Sequence, residues 1–144
     1  MGKKRIIQKS DLTTDEGRAA SIRLSSPKKK IAEGVVHIQS TYNNTLISIS
    51  DAFGNIIVSS SAGALGFRGA KKGTPYAATK VSEFLGEKAK TIGMQKVNIL
   101  VKGVGASREA AIRSFAGQGF DISVIRDITP IPHNGPRSPK PRRV

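Results

Sequence analysis

Apolar residues begin to recur in an ordered way only at Val35. Before that point, residues 1 to 33 scatter Ile and Leu among Lys, Arg, Ser, Thr and Asp without a period, which predicts an arm rather than a packed element. Within it, Asp11 to Leu24 has the make-up of a short helix, with Thr13 or Thr14 as the cap and Asp15 and Glu16 in the first turn. From Val35 the pattern changes to that of a sheet. Val35, Val36 and Ile38 form one strand and Leu46, Ile47 and Ile49 a second, with Asn43-Asn44 as the turn, because asparagine tolerates positive φ better than most residues. A turn at Phe53-Gly54-Asn55 leads to a third strand, Ile56 to Ser60.

The period then becomes helical. Thr74 followed by Pro75 is a helix start, a capping hydroxyl ahead of a proline in the first turn. Ala78, Val81, Leu85, Ala89 and Ile92 make one apolar stripe, and Gly93 ends the helix. Val97 to Val101 is a fourth strand, and a helix of this length between strands points to a parallel crossover. A second helix follows Lys102-Gly103-Val104-Gly105-Ala106-Ser107, with Ser107 as the expected cap, Ile112, Phe115 and Ala116 facing the core, and Gly119 as the stop. Asp121 to Asp127 is the fifth strand. After Ile128, five prolines in sixteen residues forbid helix and leave an extended tail. The chain therefore divides into an arm (1–33), an α/β domain (34–128) and a tail (129–144).

Charge changes the picture from fold to function. The 144 residues carry a net charge of +14, and the two ends, residues 1 to 32 and 128 to 144, supply ten of those charges. Such an excess selects a polyanion, nucleic acid or an anionic membrane surface. No apolar run is long enough for a signal peptide or a membrane span. Cysteine is absent, which excludes disulfides and thiolate metal sites.

The stretch that best fits a phosphate backbone runs from Ser59 to Lys80. Gly63, Gly66, Gly69 and Gly73 remove side chains where a large partner would press, and Arg68, Lys71 and Lys72 add charge. Thr74 opens a helix whose first N–H groups bind anions. A solvated connecting loop is the alternative, since loops are ordinarily rich in Gly and Lys. A P-loop is excluded, because no glycine is followed by Lys and Ser or Thr at the required spacing. Arg108 and Arg113 offer themselves to an anion or to solvent, Lys28 to Lys30 likewise, and the tail presents His133, Arg137, Lys140, Arg142 and Arg143. Aromatic residues are 5% of the chain, too few for a broad stacking platform. Tyr42 at the hairpin tip is one exposed candidate. Phe67 is either another or a loop anchor.

Catalysis finds little support. Asp51 and Asp127, both at strand ends, are the only carboxylate pair worth weighing for a two-metal nuclease, and turn roles suit them better. His37 and His133 lie on different elements and share no zinc-binding partner. No catalytic, cofactor or metal residues are assigned. Three readings remain: a structural RNA-binding protein, a free nucleic-acid chaperone, and a degenerate nuclease.

Three motifs narrow them. The run Ala62-Gly63 through Gly66-Phe67-Arg68-Gly69 to Lys72-Gly73-Thr74-Pro75-Tyr76-Ala77-Ala78, the Val101-Lys102-Gly103 loop ending in Arg108-Glu109, and Asp127-Ile128-Thr129-Pro130-Ile131-Pro132-His133-Asn134-Gly135 resemble bacterial-type small-subunit ribosomal protein S-eleven. The resemblance covers roughly residues 34 to 144. It implies an α/β fold with a ribonuclease-H-like mixed five-stranded sheet in the order 3-2-1-4-5, helices packed on it and extended basic tails. It implies no enzymatic activity and no cofactor. It implies a structural constituent of the small subunit, in the cytoplasm within the ribosome, that supports assembly and translation. The partners it implies are 16S-type small-subunit ribosomal RNA on the platform, neighbouring small-subunit proteins, and messenger RNA near the exit path. Neither a membrane nor a small-molecule substrate is expected. The RNA contacts expected on these grounds are Gly63, Gly66, Phe67, Arg68, Gly69, Lys71, Lys72, Thr74, Lys102, Arg108, His133, Asn134, Arg137, Lys140, Arg142 and Arg143.

Overall fold

A computed structural model of the chain describes residues 30–142. The expected helix at Asp11 to Leu24, the cations Lys28 and Lys29, and Arg143 lie outside the described residues. Strands β1 (Glu33–Ser40), β2 (Thr45–Asp51) and β3 (Ile56–Ser61) come first. They are followed by a 3-10 turn at Gly69–Gly73, α1 (Pro75–Ile92), β4 (Lys96–Lys102), α2 (Ser107–Gly117) and β5 (Asp121–Asp127). All five expected strands and both helices are present. The sheet order is β3-β2-β1-β4-β5. β1 runs antiparallel to β2, β2 antiparallel to β3, and β4 parallel to both β1 and β5.

Both helices cover one face. Val36, Ile38, Ile47, Ile49, Val97, Ile99 and Val101 point into a single buried core, where they meet Ala78, Val81, Leu85 and Ala89 of α1 and Ala111 and Phe115 of α2. The spacing of the α1 stripe sets which side is buried. The alternate strand positions, among them His37, Ser48, Asn98 and Leu100, face away from the helices. There His37 Nε2 lies 3.0 Å from Ser50 Oγ, a bond within the sheet.

Three local expectations are corrected. Asn43 and Asn44 do not adopt positive φ; among the described non-glycine residues only Asn134 does, at 53°. The β1–β2 turn is closed instead by Thr41, whose hydroxyl accepts the Asn44 N–H at 3.0 Å, and by the Asn44 side chain, which accepts the Thr45 N–H at 2.9 Å. Ser107 is not the cap of α2; that position is Ala106, with no side-chain bond. Ser107 is drawn inward because two other buried hydroxyls await it. Ala116 is exposed and Ala111 takes the buried place, since Ala111 and Phe115, four residues apart, lie on the same face of α2. Among the described residues, no helix is long and apolar enough to cross a membrane.

Candidate RNA interface

The topology brings together what the sequence holds apart. β1, β4 and β5 are parallel, so their last residues Ser40, Lys102 and Asp127 share one edge of the sheet. Because β2 starts there and β3 ends there, the β1–β2 hairpin, the glycine-rich loop after β3, the β4–α2 loop and the root of the tail all emerge at that edge. Ligands of open α/β sheets collect at this kind of edge, where loops rather than packed strands face outward.

A buried node of hydroxyls ties these loops to each other. Ser107 Oγ lies 2.7 Å from Ser40 Oγ and 2.8 Å from Thr45 Oγ1, and Thr45 Oγ1 is also 3.4 Å from the Lys72 carbonyl oxygen. All three hydroxyls are fully buried, where an unpaired one would cost about 1–3 kcal/mol. Sequence reasoning missed this node, since Ser and Thr at strand ends and loop ends give no signal of mutual contact. Glycine completes the fit: a Cβ on Gly73 would collide with the Tyr42 carbonyl, and one on Gly105 with the Thr41 carbonyl.

The candidate residues separate into two groups. Arg68, Lys71 and Lys102 are exposed, Lys72 is half-buried, and none of the four forms an ion pair among the described residues. Gly66 and Gly69 leave open space where a Cβ would stand, and Gly63 meets only the Lys72 side chain and Ser61. Tyr42 is 78% exposed at the hairpin tip beside Gly73. These groups are free to meet a phosphate or a base. The others are engaged within the chain. The Thr74 hydroxyl donates to the Lys71 carbonyl at 2.7 Å and accepts the Ala77 N–H at 3.3 Å. With Pro75 carrying no N–H, the start of α1 offers fewer free donors than its sequence suggests. Phe67 is the loop anchor: it packs against the core and meets Tyr76 edge to face, with ring centroids 6.0 Å apart.

Arg108 is a latch. Its guanidinium donates to the Gly103 carbonyl at 2.8 Å and to the Asp127 carboxylate. Asp127 also accepts the Thr129 hydroxyl at 2.6 Å and the Thr129 N–H at 2.9 Å, and that hydroxyl accepts the Gly103 N–H at 3.0 Å. The Thr129 hydroxyl, followed by Arg108, holds the Asp127 carboxyl far below the usual carboxylate range. Thr129, which composition assigns to the tail, is therefore bound to the domain, as is Ile128 through its N–H to the Val101 carbonyl at 2.8 Å. Beyond it, His133, Asn134, Arg137, Lys140 and Arg142 are exposed on backbone that is neither helix nor strand and bends at His133 and Asn134. Arg113 is held by Glu109 at 3.3 Å.

The latch places a sharp boundary on the tail. Removal of residues 130–144 is expected to leave the melting temperature nearly unchanged and to reduce the salt slope of RNA binding by up to about 3 to 4 units. Removal of residues 128–144 should in addition destabilise the domain by about 1–3 kcal/mol, because Gly103, Val101 and Asp127 lose their partners. Equal melting curves for the two truncations would show that the latch contributes nothing.

The same geometry separates Asp51 from Asp127, the carboxylate pair weighed for a nuclease. Asp51 stands opposite Gly34 at the start of β1, whereas Asp127 pairs with Val101, itself opposite Ile38. Four residues along the strands offset them by about 13 Å lengthwise, and three strand spacings add about 14 Å across the sheet, while paired catalytic metals sit about 3.5–4 Å apart. Asp51 is occupied as a turn former.

The family model for Ribosomal protein S11 matches residues 34–143. The chain belongs to the ribosomal protein S11 family. A small ribosomal subunit protein uS11 from Acaryochloris marina (strain MBIC 11017) is 55% identical over 117 residues, which cover 81% of this chain and 90% of that relative. Membership makes this a ribosomal protein of the small subunit, a ribonucleoprotein component that binds ribosomal RNA and serves translation in the cytoplasm. Ribosomal protein S11 is a structural family rather than an enzymatic one.

Proposed function

We propose that the loop edge of the sheet is the surface with which this chain grips 16S-type small-subunit ribosomal RNA, on the platform of the subunit near the messenger exit path. The observation that carries the reading is the meeting of four loops at one edge, with Arg68, Lys71, Lys72 and Lys102 all free of intramolecular ion pairs among the described residues. Arg68 and the two lysines supply charge to the phosphates, and Lys102 adds to it from the end of β4. Tyr42 offers a face for stacking, a contact every base can make. The tail extends the footprint with His133, Asn134, Arg137, Lys140, Arg142 and Arg143, its prolines lowering the entropy lost when it is ordered on RNA. Thr74, Phe67 and Arg108 act indirectly: Thr74 shapes the start of α1, Phe67 anchors the loop, and Arg108 aims the tail. The sheet order, with both helices on one side, supports the ribonuclease-H-like assignment of the fold.

In the subunit this contact would hold RNA segments together during assembly, beside neighbouring proteins and close to the emerging messenger. The test is sedimentation followed by crosslinking. The protein should remain stoichiometric in small subunits washed at high salt, and RNA crosslinks should fall on the hairpin tip, the 63–73 loop and the tail. Release by the wash would favour a free nucleic-acid chaperone. Crosslinks confined to the open sheet face would refute the edge as the interface.

A further inference from the structure

From Ile31 to Phe67 the chain contains no lysine or arginine, although its net charge is +14. This stretch builds β1, β2 and β3. Its only carboxylates are Glu33 and Asp51, and both stand at the edge opposite the RNA interface, where Asp51 is in register with Gly34. Lys96 approaches Glu33 at 3.8 Å and offsets one of the two charges.

At this corner the β2–β3 turn presents Phe53, 92% exposed, with Ile56 just beyond it at 62%. Scattered apolar residues on a surface need no explanation. Phe53 differs because its turn is rigidly built. The Asp51 carboxylate accepts the Phe53 N–H, the Asn55 N–H and the Asn55 side-chain amide, each at 2.9 Å. The Asp51 N–H donates to the Asn55 carbonyl at 3.0 Å, and the Gly54 N–H to the Asp51 carbonyl at 3.2 Å. The backbone beneath the phenyl ring is thus already ordered, so a partner that takes the ring bears little of the entropy of ordering the loop.

RNA and protein compete as that partner, and charge separates them. A base brings phosphates with it, and the one charged side chain of the turn that carries the ring, Asp51, is a carboxylate. The Asn55 side chain holds the Asp51 carboxyl below its ordinary range, so it remains ionised at neutral pH and repels a phosphate. We propose that Phe53 and Ile56 are the anchor of a protein–protein contact within the small subunit, received by an apolar recess rimmed with lysine or arginine on a basic neighbour. The proposal rests on the ribosomal reading above.

The experiment places a photoreactive benzoyl-phenylalanine at position 53 of the full chain and irradiates assembled small subunits. A covalent adduct with another protein is the expected result. An adduct with ribosomal RNA, or no adduct in subunits that sediment with the protein in place, would overturn it. Failure to sediment would count against the ribosomal reading instead. Phe53→Ser supplies a second measurement. Melting temperature, affinity for isolated ribosomal RNA and salt slope should be unchanged, while dissociation from washed subunits accelerates by roughly thirtyfold, as for an aromatic hot spot. Lost RNA affinity, or unchanged dissociation, would defeat the proposal.

Discussion

Simultaneous replacement of Arg68, Lys71 and Lys72 by alanine is expected to lower the salt slope of RNA binding by about 2 to 3 units and to weaken binding near physiological salt by about a hundredfold. Each side chain that meets one phosphate releases roughly one counterion, so removing three removes most of three released ions. The fold should survive. Arg68 and Lys71 are exposed, and what Lys72 gives to the hydroxyl node is its backbone carbonyl, which alanine keeps. Circular dichroism melting and a salt titration of RNA affinity separate the two effects. An unaltered slope with an intact fold would mean that the loop does not touch phosphate.

Gly103→Ala is expected to damage the protein from the inside. Gly103 has φ 101°, a region that disfavours any side chain, and an added Cβ would overlap the Ser40 carbonyl. Left-handed strain of about 1–2 kcal/mol and overpacking of about 1–3 kcal/mol together predict a loss of roughly 2–5 kcal/mol. For a domain of this size that lowers the melting temperature by roughly 10–30 °C. RNA binding should fall with it, because the residue that moves is the one under which Ser40, Ser107 and Thr129 are gathered. Gly117→Ala is the control: its site lies in α2 with open space around the missing Cβ, and it should melt like the parent. If both variants melt together, the close approach at Ser40 has no energetic weight.

These two experiments divide the residues by how their roles become visible. The α1 stripe and its Thr74–Pro75 start were legible because a helix repeats every 3.6 residues and a cap acts within one turn. Strand positions were legible for the same kind of reason. Arg68, Lys71 and Lys72 stood out because charge beside glycine in a loop has no core to serve. Ser107 misled, since a serine before a helix satisfies the rule for a cap whether or not it occupies that place. Arg108 was open to either reading because its partner, Asp127, is nineteen residues away on another strand.

The sequence by itself determined the order of elements, the apolar face of each, the excess of positive charge and the motifs of the ribosomal protein S11 family. All are properties of neighbours along the chain or of sums over it. Only the tertiary structure decided that β1, β4 and β5 end at one edge, that three buried hydroxyls bind the loops there, and that Arg108 holds the tail while Arg68 forms no ion pair among the described residues. It also decided that Asp51 and Asp127 stand at opposite edges. Such contacts join residues distant in sequence, and the energy of a hydrogen bond between two side chains depends on a fraction of an ångström and on burial, neither of which a linear pattern carries.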